Sequence, residues 1–266
     1  MRLRFSRKHL CIPYAAFMAL FVVAPILIML YYAFTNSEGR FTLLNFGNIF
    51  SDITAASALL TSLSIALLTT ILCLLIGYPV AYILARSEMK YSSALLMLFI
   101  MSKCINFVMR LNALKEFFSL INLLDKSPYI NTVIGMVYDF LPFMILPLYT
   151  TLSKMDKSLI EASQDLGANK PRTFLKVVLP LYMPGILSGV TMVFMPTMTN
   201  YVISDILGRS QITILGKLID NFFMQYNWNM GAAISMFLLA VMFAFTWATG
   251  GFKSDGTDNA RGSGLW

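Results

Sequence analysis

Charge is scarce in this chain. Asp, Glu, Lys and Arg make up 12% of the 266 residues, about half the share of an ordinary soluble domain. A chain that is 58% hydrophobic cannot cover its own surface with polar groups, so lipid is its natural solvent. There is one histidine, His9. A hydrolase that needs a His base, or a centre built from clustered His, Asp and Glu, has too little to work with. The three cysteines, Cys11, Cys73 and Cys104, form no C-x-x-C pair. They read as small buried hydrophobes rather than metal ligands or a disulfide framework. His9 has only Cys11 nearby and belongs to a basic flank, so no metal site is expected. No G-x-x-x-x-G-K-[ST] phosphate loop occurs, so ATP hydrolysis by such a loop is not expected of this chain.

What is abundant is apolar run length. A helix needs roughly 20 apolar residues to cross a bilayer core of about 30 Å. Residues 10–34, 53–85, 177–204 and 221–252 reach that length without a charge. Residues 91–111 reach it if Lys103 and Arg110 are tolerated, and residues 130–152 if Asp139 is tolerated. The expectation is an all-α membrane protein of six transmembrane helices. The first run is too long for a signal peptide and lacks a small-residue cleavage site, and Tyr31, Tyr32 and Phe34 read as its interfacial anchor.

The formal charge of +7 follows membrane topology rather than a nucleic-acid face. With the N-terminus in the cytoplasm, thirteen of the twenty Lys and Arg fall in inside segments, as the positive-inside rule requires. Both termini are then cytoplasmic. Residues 1–9 form a basic N-terminus, 10–252 a six-span domain, and 253–266 a flexible tail rich in Gly, Ser, Asp and Asn.

The longest inside loop, residues 153–180, has its own pattern. Ser158 and Glu161 have capping-box spacing, so a helix is expected from about Leu159. Leu159, Ala162, Ser163 and Leu166 share one face of it. Gly167 stands where a left-handed C-cap is wanted. Asn169 can cap a second short helix with Pro171 in its first turn, closed by Leu179-Pro180. The residues alone fit equally a basic amphipathic loop lying on the lipid surface.

A resemblance separates the two. Glu161-Ala162, Gly167, then Val177, Leu179 and Pro180 carry the pattern Glu-Ala-x-x-x-x-Gly, nine residues, β-branched, x, Leu-Pro. It resembles the cytoplasmic signature of ABC-importer permeases, with Ser163 where the family often has a second Ala. The resemblance runs from about Ile12 to Phe252. Through Leu141-Pro142-Phe143-Met144-Ile145-Leu146-Pro147-Leu148-Tyr149, Met183-Pro184-Gly185-Ile186 and Val202-Ile203-Ser204-Asp205 it is similar to the spermidine/putrescine branch.

The resemblance implies a type I ABC importer permease fold in a bacterial cell membrane. It implies a cytoplasmic coupling helix that docks on an ATPase dimer through Glu161, Ala162, Ser163, Asp165, Gly167, Leu179 and Pro180. A second homologous permease, an extracytoplasmic solute-binding protein and membrane lipid would be the other partners. ATP and Mg would sit on the ATPase, with no cofactor on this chain and no nucleic acid. The chain would be a transport subunit, not an enzyme.

Chemistry gives the cargo an independent argument. A polyamine path needs carboxylates for charge and aromatic faces for cation–π contact, and intramembrane acids are costly and usually functional. Tyr138 and Asp139 in the fourth run, Tyr201 and Asp205 in the fifth, and Asp220 and Trp228 before the sixth offer that combination. Each acid could equally be structural, paired with a neighbouring base. The same architecture could carry an anion, a sugar or another small molecule. Ser102-Lys103-Cys104 stands where relatives in the branch are expected to carry a Pro and a Trp. Counting 1.5 Å per residue puts Lys103 and Asp139 at similar depth, so an ion pair is expected between them.

Overall fold

In a hydrocarbon medium every backbone N–H and C=O must find a partner within the protein, which favours helices. The computed structural model describes residues 11–36, 38–86, 92–156 and 158–250, and among them no strand forms. A β-bridge joins Thr35 and Phe41. The basic N-terminal flank with His9, and the Gly- and Ser-rich tail, lie outside the described residues.

Among the described residues five helices are long and apolar enough to cross a membrane: Pro13–Ala33, Ile53–Arg86, Pro128–Ser153, Phe174–Thr199 and Trp228–Ala248. A bent pair, Ser92–Cys104 and Phe107–Leu120, makes six when it counts as one span. We number these spans one to six in chain order. The second has 34 residues and is roughly 51 Å long at 1.5 Å per residue. It outruns the hydrocarbon layer and must tilt or project.

Three expected boundaries shift. The third run is not one straight helix: its halves meet at 98°. Asn106 causes the break, its side chain accepting from Val108 N–H and Met109 N–H at 3.0 and 3.2 Å, which starts a new helix in mid-run. The fifth span ends at Thr199, and residues 201–207 form a separate helix, Tyr201–Leu207, after Asn200. The sixth begins at Trp228, not 221. Residues up to Met224 belong to a separate amphipathic helix, Leu215–Met224. Tyr226, at φ 59°, turns the chain, and Asn227 caps the span by accepting from Met230 N–H.

The described chain falls into two compact units. One draws on residues up to Ala58 and on Leu215–Val241; the other on Leu59–Ile214 and residues from Met242 onward. In the first, the end of span one is pinned by two asparagines. Asn229 Nδ2 donates to the Thr35 carbonyl at 2.7 Å and the Tyr32 carbonyl at 3.1 Å. Asn45 Nδ2 donates to Thr35 O at 2.9 Å and Ala33 O at 3.0 Å. These are the orphan carbonyls that every helix C-terminus must satisfy.

In the second unit the fourth span is central: 67% of its most apolar window is buried, against 33% for spans two, five and six. Its core face includes Met136, Met144, Ile145, Leu148 and Leu152. It packs on span five and on Tyr201–Leu207. Small residues permit the approach. A Cβ on Gly185 would stand 2.5 Å from Thr151 Oγ1, and one on Gly189 2.7 Å from Met144 Sδ. A charge placed on span four is therefore held inside protein rather than facing lipid.

Candidate functional site

The loop between spans four and five is structured. Its first helix is Ser158–Asp165. The cap comes from Asp156, whose Oδ1 accepts from the Ser158 backbone N–H at 3.0 Å. That hydrogen bond holds the Asp156 carboxyl below its ordinary pKa. The sequence pattern pointed to Ser158 for this job; the chain uses the acid two residues earlier. The C-terminus closes as a Schellman turn. Gly167, at φ +79°, donates to Gln164 O at 2.8 Å, and Ala168 donates to Ser163 O at 3.1 Å.

Asn169 starts the second helix, its Oδ1 accepting from Arg172 N–H at 3.1 Å. Leu179-Pro180 does not close that helix, as the sequence suggested. The chain runs from Lys170–Thr173 through a wide turn, Phe174–Val178, into Leu179–Thr199 without a break. In the wide turn Leu179 N–H reaches back to Phe174 O, five residues rather than four. This re-registered ladder accommodates Pro180, which has no N–H to give.

Glu161, Ala162, Asp165, Gly167 and Pro180 are exposed, and Ser163 and Leu179 are half-buried. Ser163 Oγ and Thr173 Oγ1 stand 3.1 Å apart, tying the two loop helices together. Leu166 is 89% exposed, beside Glu161 and Ala162 on an unpaired surface. At the base, Phe174 packs edge-on to Tyr78 of span two at 5.7 Å, and Tyr78 meets Tyr182 of span five at 6.0 Å. The exposed first helix thus leads through the second into span five, whose Phe174 meets span two by aromatic contact.

The second arrangement lies at the bend of span three. Lys103 Nζ stands 2.8 Å from Asp139 Oδ1, so the expected pair is present. Arg110, at the end of the expected third run, also donates to Asp139 Oδ1. Its Nη1 donates to the Ser102 carbonyl at 2.6 Å. The bend frees carbonyls at the end of the first half-helix, and Arg110 from the second half satisfies one of them. Asp139 and Arg110 side chains are 4% and 7% exposed. Lys103 lies 4.8 Å from the Phe143 ring and 5.5 Å from that of Phe140; Arg110 lies 5.7 Å from the Tyr138 ring. These faces spread the surplus positive charge of two cations on one acid. Asp139 is therefore engaged by the chain's own bases and is not presented as a free carboxylate. Asn106, a capping residue inside an apolar run, was the signal that could have placed Arg110 here.

Tyr201 and Asp205 lie on the short helix Tyr201–Leu207, which packs on both Phe107–Leu120 and span four. Both are half-buried. Asp220 and Trp228 belong to the other compact unit. There Trp228 packs with Phe223 at 5.5 Å and Tyr32 at 6.4 Å, lining an apolar cleft of about 340 Å³ with Pro25 and Ile28. Among the described residues no three His, Cys, Asp or Glu side chains cluster as a metal site would need.

Residues 77–252 match the family described as binding-protein-dependent transport system inner membrane component. The chain is 35% identical over 244 residues to the spermidine/putrescine transport system permease protein PotB of Haemophilus influenzae, covering 84% of this chain and 85% of that one. To the Escherichia coli protein of the same name it is 35% identical over 247 residues, covering 85% and 90%. To a PotB homolog of Mycoplasma genitalium it is 30% identical over 231 residues, covering 80% and 79%. Among solved structures, a bacterial ABC transporter involved in the import of the acidic polysaccharide alginate contains a chain of similar fold. The TM-score is 0.66 at 15% identity, over 92% of this chain and 95% of that one.

Proposed function

The chain belongs to the family of binding-protein-dependent transport system inner membrane components, and from that premise we propose that it forms half of the translocation path of an ATP-driven polyamine importer. It is a multi-pass permease subunit rather than an enzyme. The cargo reading is spermidine or putrescine. It is supported by likeness to spermidine/putrescine permeases over most of both chains.

The observation that carries the mechanism is the loop at 156–180. Its exposed helix presents Glu161 and Ala162 to a partner, and its second helix continues into span five. An ATPase dimer that grips the first helix and closes on ATP and Mg²⁺ pulls span five as a rigid lever. The Tyr78–Phe174 contact passes the motion to span two. The result is rigid-body alternation of access. A second, homologous permease supplies the other half of the path, and an extracytoplasmic solute-binding protein delivers the cargo. Both termini lie in the cytoplasm in this reading, on the side of the loop. Residues 10–252 act as the permease domain.

Tyr201, Asp205, Asp220 and Trp228 supply the carboxylate and ring chemistry that an ammonium chain needs. Tyr138 and Asp139 serve the path differently: they hold Lys103 and Arg110 at the bend and set the residual positive charge there. Uptake of labelled spermidine and putrescine by the complete complex in liposomes, with loaded binding protein, tests the cargo. Lack of polyamine uptake, with ATPase activity intact, would overturn it.

A further inference from the structure

We propose that a polar pocket in the unit that holds span one and the first part of span six is a subsite for a primary ammonium group on the extracytoplasmic face. The inference rests on the topology and polyamine cargo proposed above. The pocket has a volume of about 360 Å³. Asn45, Asn48 and Asp52 line it from one side. They are spaced three and four residues apart along Leu44–Ser51 and its C-cap, so they share one helical face. Phe222, Asn227 and Asn229 line the other side.

The amides in this pocket are already oriented by the backbone. Asn45 and Asn229 each give their NH₂ to carbonyls at the end of span one. A carbonyl accepts and cannot donate, so the amide nitrogens are fixed there and the two Oδ1 atoms remain as acceptors. Asn227 is turned the opposite way, its Oδ1 accepting from Met230 N–H. Asn36, also at the pocket, accepts from Glu38 and Arg40 N–H. Asp52 is the pocket's sole formal charge. Its Oδ1 accepts from Thr54 N–H at 2.8 Å, and it forms no ion pair among the described residues.

One carboxylate, preset amide oxygens and the Phe222 ring match the needs of an ammonium group on an aliphatic stem: charge, acceptors and an apolar face. An anion meets an unneutralised carboxylate. A calcium ion wants six to eight oxygens and more charge than one acid provides. The pocket therefore takes one end of a polycation before the chain enters the membrane.

The test uses the complete transporter in nanodiscs, without binding protein. Equilibrium binding of labelled putrescine and of methylammonium is measured for the unmodified protein, for Asp52→Asn, which keeps the Thr54 cap, and for Asn48→Leu, which puts an apolar side chain in the pocket. Asp52→Asn is expected to weaken both cations about tenfold, the loss of one charge-assisted hydrogen bond, with assembly and basal ATPase activity unchanged. Unchanged cation affinity in both variants overturns the proposal. So does a change confined to the affinity for the binding protein, titrated separately on the same variants, which makes the pocket a protein-docking surface. Methylammonium binding that depends on Asp52 in a complex that imports no polyamine keeps the subsite and removes the cargo reading.

Discussion

Lys103 Nζ meets Asp139 Oδ1 at 2.8 Å from one half of the bent third span, and Arg110 meets the same oxygen from the other half. The acid of span four thereby staples both sides of a 98° bend. Removing it leaves two cations without a counter-charge in a poorly hydrated site. Asp139→Ala is expected to destabilise the protein by about 3–5 kcal/mol. Lys103→Met should be milder, because Arg110 still neutralises the acid, but it should alter uptake by changing the charge at the bend. Thermal unfolding in detergent orders the two variants. Equal losses, or uptake untouched by Lys103→Met, would refute the staple.

The bend itself depends on a cap. Asn106→Ala removes the acceptor for Val108 and Met109 N–H and should cost about 0.5–2 kcal/mol. Hydrogen exchange at those two amides should rise while that of span four stays slow. No change at the amides would mean that the cap does not hold the break.

Glu161 is exposed and makes no ion pair among the described residues. Glu161→Lys should leave the chain's own stability within about 0.5 kcal/mol. It should cut co-purification of the ATPase and lower uptake at least about tenfold, one reversed charge at a docking surface. Normal ATPase recovery with this variant would remove Glu161 from the coupling contact.

Gly167 separates backbone strain from crowding. A Cβ there would meet nothing within 4 Å, yet φ is +79°. Gly167→Val should therefore weaken the loop by about 1–2 kcal/mol, and Gly167→Asn much less, because Asn tolerates the left-handed region. Uptake should fall in the same order. Equal effects would point to crowding by any side chain instead.

Gly185 reports the approach of spans four and five. Gly185→Val places a Cβ 2.5 Å from Thr151 Oγ1 and 3.1 Å from the Pro147 carbonyl. It should cost about 1–3 kcal/mol through overpacking, read as a lower melting temperature of the assembled complex. An unchanged melting temperature would show that the spans can separate freely.

Composition and run length were enough to determine an all-helical membrane protein, because apolar side chains must be buried in lipid whatever their tertiary neighbours. The loop was legible for a similar reason: the Gly167 turn and the Asn169 cap are local backbone chemistry, written within a few residues. The Lys103–Asp139 pair was within reach of counting residues along two helices. Arg110 was not. Its place depends on a right-angle bend, and hydropathy averages over a bend without sensing it. The continuation through Pro180 needed a wide turn, which no propensity announces. The exposed surface at Glu161 and the ammonium pocket at Asp52 mark the two kinds of outcome. The first follows from a motif in one segment. The second exists only because residues 45–52 and 222–229 are folded together, and their amides are aimed by carbonyls at the end of a third segment.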